Sequence, residues 1–131
     1  MRSTFPLVQC SELSKWFPVR SGILKKKTGE IKAVNNISFQ IAEKEIVGVI
    51  GESGSGKSTL ARLLVRLLEP TSGQILFDGT DITHMHQREL RSLRKQFQIV
   101  FQNPGDSLNS RYTIFETLQE VISFHEITED A

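Results

Sequence analysis

Nine consecutive residues, Gly51-Glu52-Ser53-Gly54-Ser55-Gly56-Lys57-Ser58-Thr59, restrict the local fold more than any other stretch of the chain. They satisfy the pattern G-x-x-x-x-G-K-S/T, in which glycines let successive backbone N–H groups curl around a polyphosphate. The lysine reaches the outer phosphates, and the hydroxyl that follows can hold magnesium. The flanking sequence matches. Glu45-Ile46-Val47-Gly48-Val49-Ile50 is apolar and β-prone, which predicts a buried strand entering the loop. Leu60, Leu63, Leu64, Leu67 and Leu68 recur at helical spacing beyond it, predicting a helix whose N-terminus faces the anion. Strand, loop and helix in this order predict a Walker A phosphate cradle in an α/β fold.

A chain of 131 residues suffices for one compact domain. Its net charge of +1 makes no demand for nucleic acid or an anionic surface as partner, and none is expected. Cys10 is the single cysteine, so no internal disulfide can form, which fits a reducing cytosol. Met1-Arg2-Ser3-Thr4-Phe5-Pro6 lacks the apolar stretch of a secretory signal. No run approaches the ~20 apolar residues of a membrane span, since Arg66 interrupts the most hydrophobic helix. Membrane association is therefore expected only through a partner subunit.

Along the chain, Leu7 to Cys10 predicts a first strand, and Trp16-Phe17-Pro18 follows it. Residues 20–30 read as an inserted loop or loose hairpin whose Arg20, Lys25, Lys26 and Lys27 are solvated. Ile37, Phe39 and Ile41 alternate with Ser38 and Gln40, the mark of a strand with one buried face. Pro70-Thr71-Ser72-Gly73 is placed to stop the leucine-rich helix. Gln74-Ile75-Leu76-Phe77 and the stretch around Ile82 predict short strands joined by the turn dipeptide Asp78-Gly79. Leu90, Leu93 and Phe97 lie on one face of a short basic helix, and Phe97-Gln98-Ile99-Val100-Phe101 predicts a strand. Thr113-Ile114-Phe115-Glu116 matches a capping box opening a last helix, with Ile114, Leu118, Val121, Ile122 and His125 along one face. His84 and His86 lack the further ligands a metal site needs and are expected in solvent.

Three separated tracts together resemble the ATP-binding cassette (ABC) ATPases: the loop at 51–59, Glu69-Pro70-Thr71-Ser72-Gly73-Gln74-Ile75-Leu76-Phe77-Asp78-Gly79, and Val100-Phe101-Gln102-Asn103-Pro104. Ser107-Leu108-Asn109-Ser110-Arg111, and the stretch from Trp16-Phe17-Pro18 to Ala33-Val34, are similar to the oligopeptide and dipeptide importer subfamily. The resemblance extends over essentially the whole chain. It implies a P-loop core behind an N-terminal antiparallel β subdomain running to about residue 102, with a helical subdomain starting over 103–131.

The resemblance also implies roles for individual residues. Gly51, Glu52, Ser53, Gly54, Ser55 and Gly56 cradle the β-phosphate of ATP, and Lys57 bridges its β- and γ-phosphates. Ser58 coordinates magnesium, and Thr59 bonds the α-phosphate. Gln102 reaches magnesium and the attacking water, and its loop senses the transmembrane subunits. The aromatic that stacks on adenine corresponds best to Phe17, with Trp16 as the alternative and Val34 beside the base. Phe17 also suits a plain anchor at a sheet edge. Implied partners are transmembrane permease subunits and a second ATP-binding subunit, at the cytoplasmic face of the cell membrane.

Two departures stand out. Lys44 occupies a turn position where the family pattern has glycine; a left-handed backbone there would cost lysine about 1 kcal/mol. The family's Leu-Ser-Gly-Gly-Gln signature, Walker B strand, catalytic glutamate and switch histidine have no counterpart in the sequence. The expectation is thus a partial nucleotide-binding domain that holds nucleotide weakly and hydrolyses little alone. Its segment at 46–50 would expose a raw sheet edge. A catalytically inactive remnant and a soluble, non-transport ABC ATPase are the other readings. A dinucleotide fold is disfavoured, because G-x-G-x-x-G is not matched.

Overall fold

Alternation at Ile37, Phe39 and Ile41 builds the second strand of a long hairpin. The computed structural model describes residues 6–21, 26–103, 105 and 108–124. In it β1 (Val8–Ser21) pairs antiparallel with β2 (Lys26–Ile41). On its other side β1 pairs with β3 (Ser72–Phe77), which turns into β4 (Thr80–Asp81). The sheet order is β2-β1-β3-β4. Cys10 sits at its centre, opposite Phe39 on one side and Ile75 on the other. The expected strand at 7–10 is therefore only the start of β1, which carries on through Trp16-Phe17-Pro18.

Asp78 and Gly79, with φ of 46° and 72°, form the tight turn between β3 and β4. Positive φ at both central residues matches the right-handed twist of the flanking strands, so the dipeptide sets the register. Asp81 then ties the corner: its carboxylate accepts from Gln74 Nε2 at 2.7 Å and from the Thr83 N–H at 2.8 Å. Burial opposes its ionised form, yet the hydrogen bonds from Thr83 and Gln74 outweigh that and lower its pKa.

One face of the sheet carries the core. Cys10, Leu13, Val34, Ile75, Phe77 and Ile82 are buried there with Leu63 from α1 (Lys57–Leu64) and Leu90 from α2 (Gln87–Leu93). Fully burying side chains such as Leu63 and Leu90 contributes about 1.5–3 kcal/mol each. Phe97 adds an edge-to-face contact with Phe77, ring centroids 5.1 Å apart. Burial pushes the Cys10 thiol up to about 11, which leaves it a small apolar group in function.

The leucine-rich helix is shorter than the periodicity predicts. It ends at Leu64, with Val65 as its cap, well before Pro70-Thr71-Ser72-Gly73. The cause is Arg66, which turns into the left-handed region (φ 52°) and buries its guanidinium. Nε donates to the Ile82 carbonyl at 2.7 Å and Nη1 to that of Leu68 at 3.3 Å. Leu60, Leu63 and Leu64 keep the expected face, whereas Leu67 is left half exposed.

Two predicted strands do not join the sheet. Residues 45–50 enter the glycine loop without strand pairing, and Ile46 and Ile50 are each 98% exposed. Residues 97–101 are likewise outside the sheet, with Val100 exposed. An apolar run signals that a segment can be buried, but a ladder needs a neighbour. All four positions of the sheet described are taken by other strands.

Thr113 and Glu116 cap α3 (Ile114–Phe124) as the sequence predicts. The Glu116 carboxylate accepts from the Thr113 N–H at 2.7 Å and from its hydroxyl at 2.9 Å, and Thr113 Oγ1 accepts from the Glu116 N–H. The apolar face of α3 buries none of its residues, and His125 lies outside the described residues. So do Pro104, Ser107 and the side chains of the basic cluster at Arg20, Lys25, Lys26 and Lys27. A second capping box, unannounced in the sequence reading, opens α2. His86 Nδ1 accepts from the Arg88 N–H, while Glu89 accepts from the His86 N–H.

Lys44 does stand in the left-handed region, at φ 64°. Lys44→Gly is expected to stabilise the fold by about 0.5–1 kcal/mol, because relief of that strain outweighs the added freedom of the unfolded chain. The readout is a raised urea midpoint at unchanged slope. The cap of α3 gives a pH prediction. The Thr113 N–H and hydroxyl lower the pKa of Glu116. The cap is therefore present above the ordinary carboxylate range and is lost as pH falls through the lowered value. Far-UV circular dichroism should show acid loss of helix in the wild type and a flatter profile in Glu116→Gln.

Candidate functional site

The glycine loop is seated on the sheet at a single close approach. Gly56 has φ 97°, and a Cβ built on it would collide with the Ala33 carbonyl oxygen in β2. Only glycine tolerates both the dihedral and the contact. The loop then passes straight into α1, with Gly56 as its N-cap and no side-chain capping bond. The first hydrogen bond of the helix runs from the Leu60 N–H to the Gly56 carbonyl at 2.8 Å. The N–H groups of Lys57, Ser58 and Thr59 thus have no acceptor in the preceding turn, and the positive end of the helix dipole lies with them.

Lys57 folds back over the loop. Its ammonium donates to the carbonyl oxygens of Gly51 at 2.7 Å and Glu52 at 2.6 Å, and reaches Ser55 Oγ at 3.5 Å. The loop is further pinned by the Ser55 N–H donating to the Glu52 carbonyl. On one side opens a cleft of about 440 Å³, lined by Ala33, Ser53, Gly54, Gly56, Lys57, Ser58, Thr59 and Gln102. On the other is a cleft of about 290 Å³ that includes Val34, Asn35, Val49, Ile50, Gly51 and Ser55.

Most of the residues singled out in the sequence therefore converge. Gln102, far from the loop in sequence, lies in the same cleft as Lys57 and Ser58. Val34 lines the smaller cleft and is nearly buried. Glu52 contributes its carbonyl to Lys57 and lines neither cleft. Phe17 also lines neither; it is partly exposed on the hairpin with Lys15 Nζ 5.3 Å from its ring centroid. Trp16 stands closer, its indole N–H donating to Asn35 Oδ1 at 3.2 Å, and Lys32 Nζ lies 4.8 Å above its ring. Ala33 and Asn35 were missed by the sequence reading. Ala33 acts through its backbone carbonyl, for which no side-chain signal exists.

The donor set fits a polyphosphate: free amides, a helix N-terminus and an ammonium already bound to oxygen. It also fits magnesium, which keeps water and phosphate oxygens and asks the protein for few ligands. The Ser58 hydroxyl and the Gln102 amide are neutral oxygen donors in one cleft. Among the described residues no cluster of three His, Cys, Asp or Glu could hold a metal by itself. His84 and His86 are exposed.

The sequence model of the ABC transporter family matches residues 34–131. The chain belongs to that family. Among curated ABC proteins it is 44% identical over 120 residues to the "Oligopeptide transport ATP-binding protein AppF" of Bacillus subtilis, covering 91% of this chain and 36% of the relative. It is 44% identical over 116 residues to the "Probable peptide ABC transporter ATP-binding protein y4tS" of Sinorhizobium fredii, covering 88% and 33%. The chain thus spans about a third of the length of these relatives. Among solved structures, the dimeric MJ0796 cassette, described as a bacterial ABC transporter cassette, superposes with a TM-score of 0.74 at 27% identity. That match covers 95% of this chain and 49% of the cassette. A post-hydrolysis form of MJ0796 bound to ADP and Pi gives 0.76, over 50% of that chain. The α/β P-loop architecture with its antiparallel β sheet is that of the ABC ATPases.

Gly56→Ala tests the seat of the loop. It is expected to cost about 2 kcal/mol or more, because both the dihedral and the Ala33 contact become strained. It should also remove any rise in melting temperature on adding magnesium and ATP.

Proposed function

We propose that this chain provides the phosphate-binding part of the ATP-binding subunit of an ABC transporter that imports peptides. The observation that carries the reading is the convergence of Gln102 with Lys57, Ser58 and Thr59 on one cleft at the N-terminus of α1. In this reading, the loop from Gly51 to Gly56 cradles the β-phosphate, the Ser55 N–H giving up its bond to the Glu52 carbonyl. The Lys57 ammonium leaves the Gly51 and Glu52 carbonyls for the β- and γ-phosphates. Thr59 meets the α-phosphate. Ser58 and Gln102 hold magnesium, which supplies charge neutralisation at the phosphates when bound. Val34 flanks the base, with Phe17 or Trp16 stacking on it. Of the two aromatics, the Trp16–Asn35 bond ties Trp16 to the smaller cleft.

Peptide import is supported by the names of the relatives, two of which are peptide or oligopeptide transport proteins. A relative at 41% identity is the "Glutathione import ATP-binding protein GsiA" of Salmonella paratyphi A, again a peptide-sized cargo. Pairing with a second ATP-binding subunit is supported by the dimeric state of the MJ0796 cassette. No helix of the described residues is long and apolar enough to cross a membrane. We assign coupling to separate permease subunits, with the chain peripheral on the cytoplasmic face, in keeping with relatives named as ATP-binding proteins of transporters. We also divide the chain near residue 102, taking 103–131 as the start of a helical subdomain, in keeping with an α3 that buries none of its residues.

Among the described residues no Asp or Glu lines the larger cleft. A carboxylate that would help hold magnesium or orient water is thus not among the groups gathered there. By itself the chain is accordingly a binder of ATP rather than an efficient ATPase.

Calorimetric titration with magnesium and ATP tests the reading. Lys57→Ala is expected to weaken binding at least about tenfold, the scale of a lost charge-assisted hydrogen bond. Equal affinities for wild type and variant would refute it.

A further inference from the structure

The segment that carries Gln102 is fastened at its two ends by one side chain. Arg91, in the last turn of α2, aims its guanidinium at Phe124 in α3. Nη2 donates to the Phe124 carbonyl oxygen at 3.2 Å, and Cζ lies 4.6 Å from the centroid of the Phe124 ring. The charge strengthens the hydrogen bond to the carbonyl, and the aromatic face adds to the attraction. The clasp spans 33 residues of sequence and closes them into a loop.

Inside that loop lie both Gln102, at the phosphate cleft, and α3, which buries no side chain of its own. Phe124 meets the body beside Val65, Leu67, Phe97 and Ile99, so α3 is held mainly at this point. The α2 side of the clasp is firm. Leu90 is fully buried, Arg94 Nη2 donates to Gln87 Oε1 at 2.7 Å, and Gln98 Nε2 donates to the Arg94 carbonyl at 3.0 Å.

We propose that Arg91 is a positioning residue for Gln102: its clasp on Phe124 closes the segment between α2 and α3 and keeps the Gln102 amide in the phosphate cleft. The inference rests on reading Gln102 as a contact to magnesium and phosphate. Apparent affinity falls with the fraction of molecules in which a binding group is in place, so loosening the clasp lowers affinity without touching the ligand.

The experiment measures ATP affinity of the full chain, with magnesium and with EDTA, for wild type, Arg91→Gln, Gln102→Ala and the double variant. Gln102→Ala should lower the gain in affinity that magnesium brings. Arg91→Gln should reproduce about a threefold to tenfold part of that loss, the scale of a charge-assisted hydrogen bond and a cation–π contact. It should leave affinity in EDTA unchanged and add nothing in the Gln102→Ala background. Arg91→Lys should recover part of the loss. Phe124→Leu, which keeps the carbonyl and removes the ring, should give a smaller loss of the same kind and serves if Arg91→Gln does not fold. If Gln102→Ala leaves the magnesium-dependent gain intact, the reading of Gln102 is wrong and the clasp proposal goes with it. If Gln102→Ala lowers that gain while neither Arg91→Gln nor Phe124→Leu does, the clasp alone is refuted. A loss from Arg91→Gln that is equal in EDTA, or that persists in the double variant, also refutes it.

Discussion

The contact between the Gly56 backbone and the Ala33 carbonyl joins everything else together. It brings a loop of free amides against β2 and starts α1 at the same point. Because α1 buries Leu63 in the core, the helix cannot tilt without opening the hydrophobic cluster. The anion-facing end of the helix is therefore held by packing at one end and by a steric fit at the other. A side chain at position 56 would disturb both. The chemistry of the loop and the stability of the domain are in this sense one problem.

Burial is unevenly shared along the chain. The sheet face, Leu63 and Leu90 form a continuous core, while Ile46, Ile50, Val100 and the apolar side of α3 face solvent. Both unpaired apolar segments lie beside functional elements: one leads into the glycine loop, the other into Gln102. The loop is held by the Lys57 bonds to its own carbonyls, and the chain beyond α1 by the Arg66 tie to the Ile82 carbonyl.

Features encoded by local chemistry were legible in the sequence. The Asp78-Gly79 turn, the Thr113–Glu116 cap, the alternation at Ile37, Phe39 and Ile41, and the left-handed Lys44 are each decided by a few adjacent residues. The glycine loop belongs to the same class. Features decided by distant partners were not legible. Strand pairing at 45–50 and 97–101 depends on neighbours that a hydrophobic run does not name. The early end of α1 depends on a guanidinium finding the Ile82 carbonyl, and leucine spacing carries no trace of that. The Ala33 carbonyl was invisible for a simpler reason: main-chain atoms have no letter of their own. Nor did the aromatic pattern show that Trp16 bonds the side chain of Asn35.

The folded-back Lys57 has a further consequence. By bridging the Gly51 and Glu52 carbonyls it acts as an internal counter-ion, keeping the loop curled before any anion arrives. Much of the ordering entropy of the nest is therefore lost during folding, not during association. In the proposed reading, capture of a phosphate becomes an exchange of oxygen partners by the Lys57 ammonium over a main chain that is already curled.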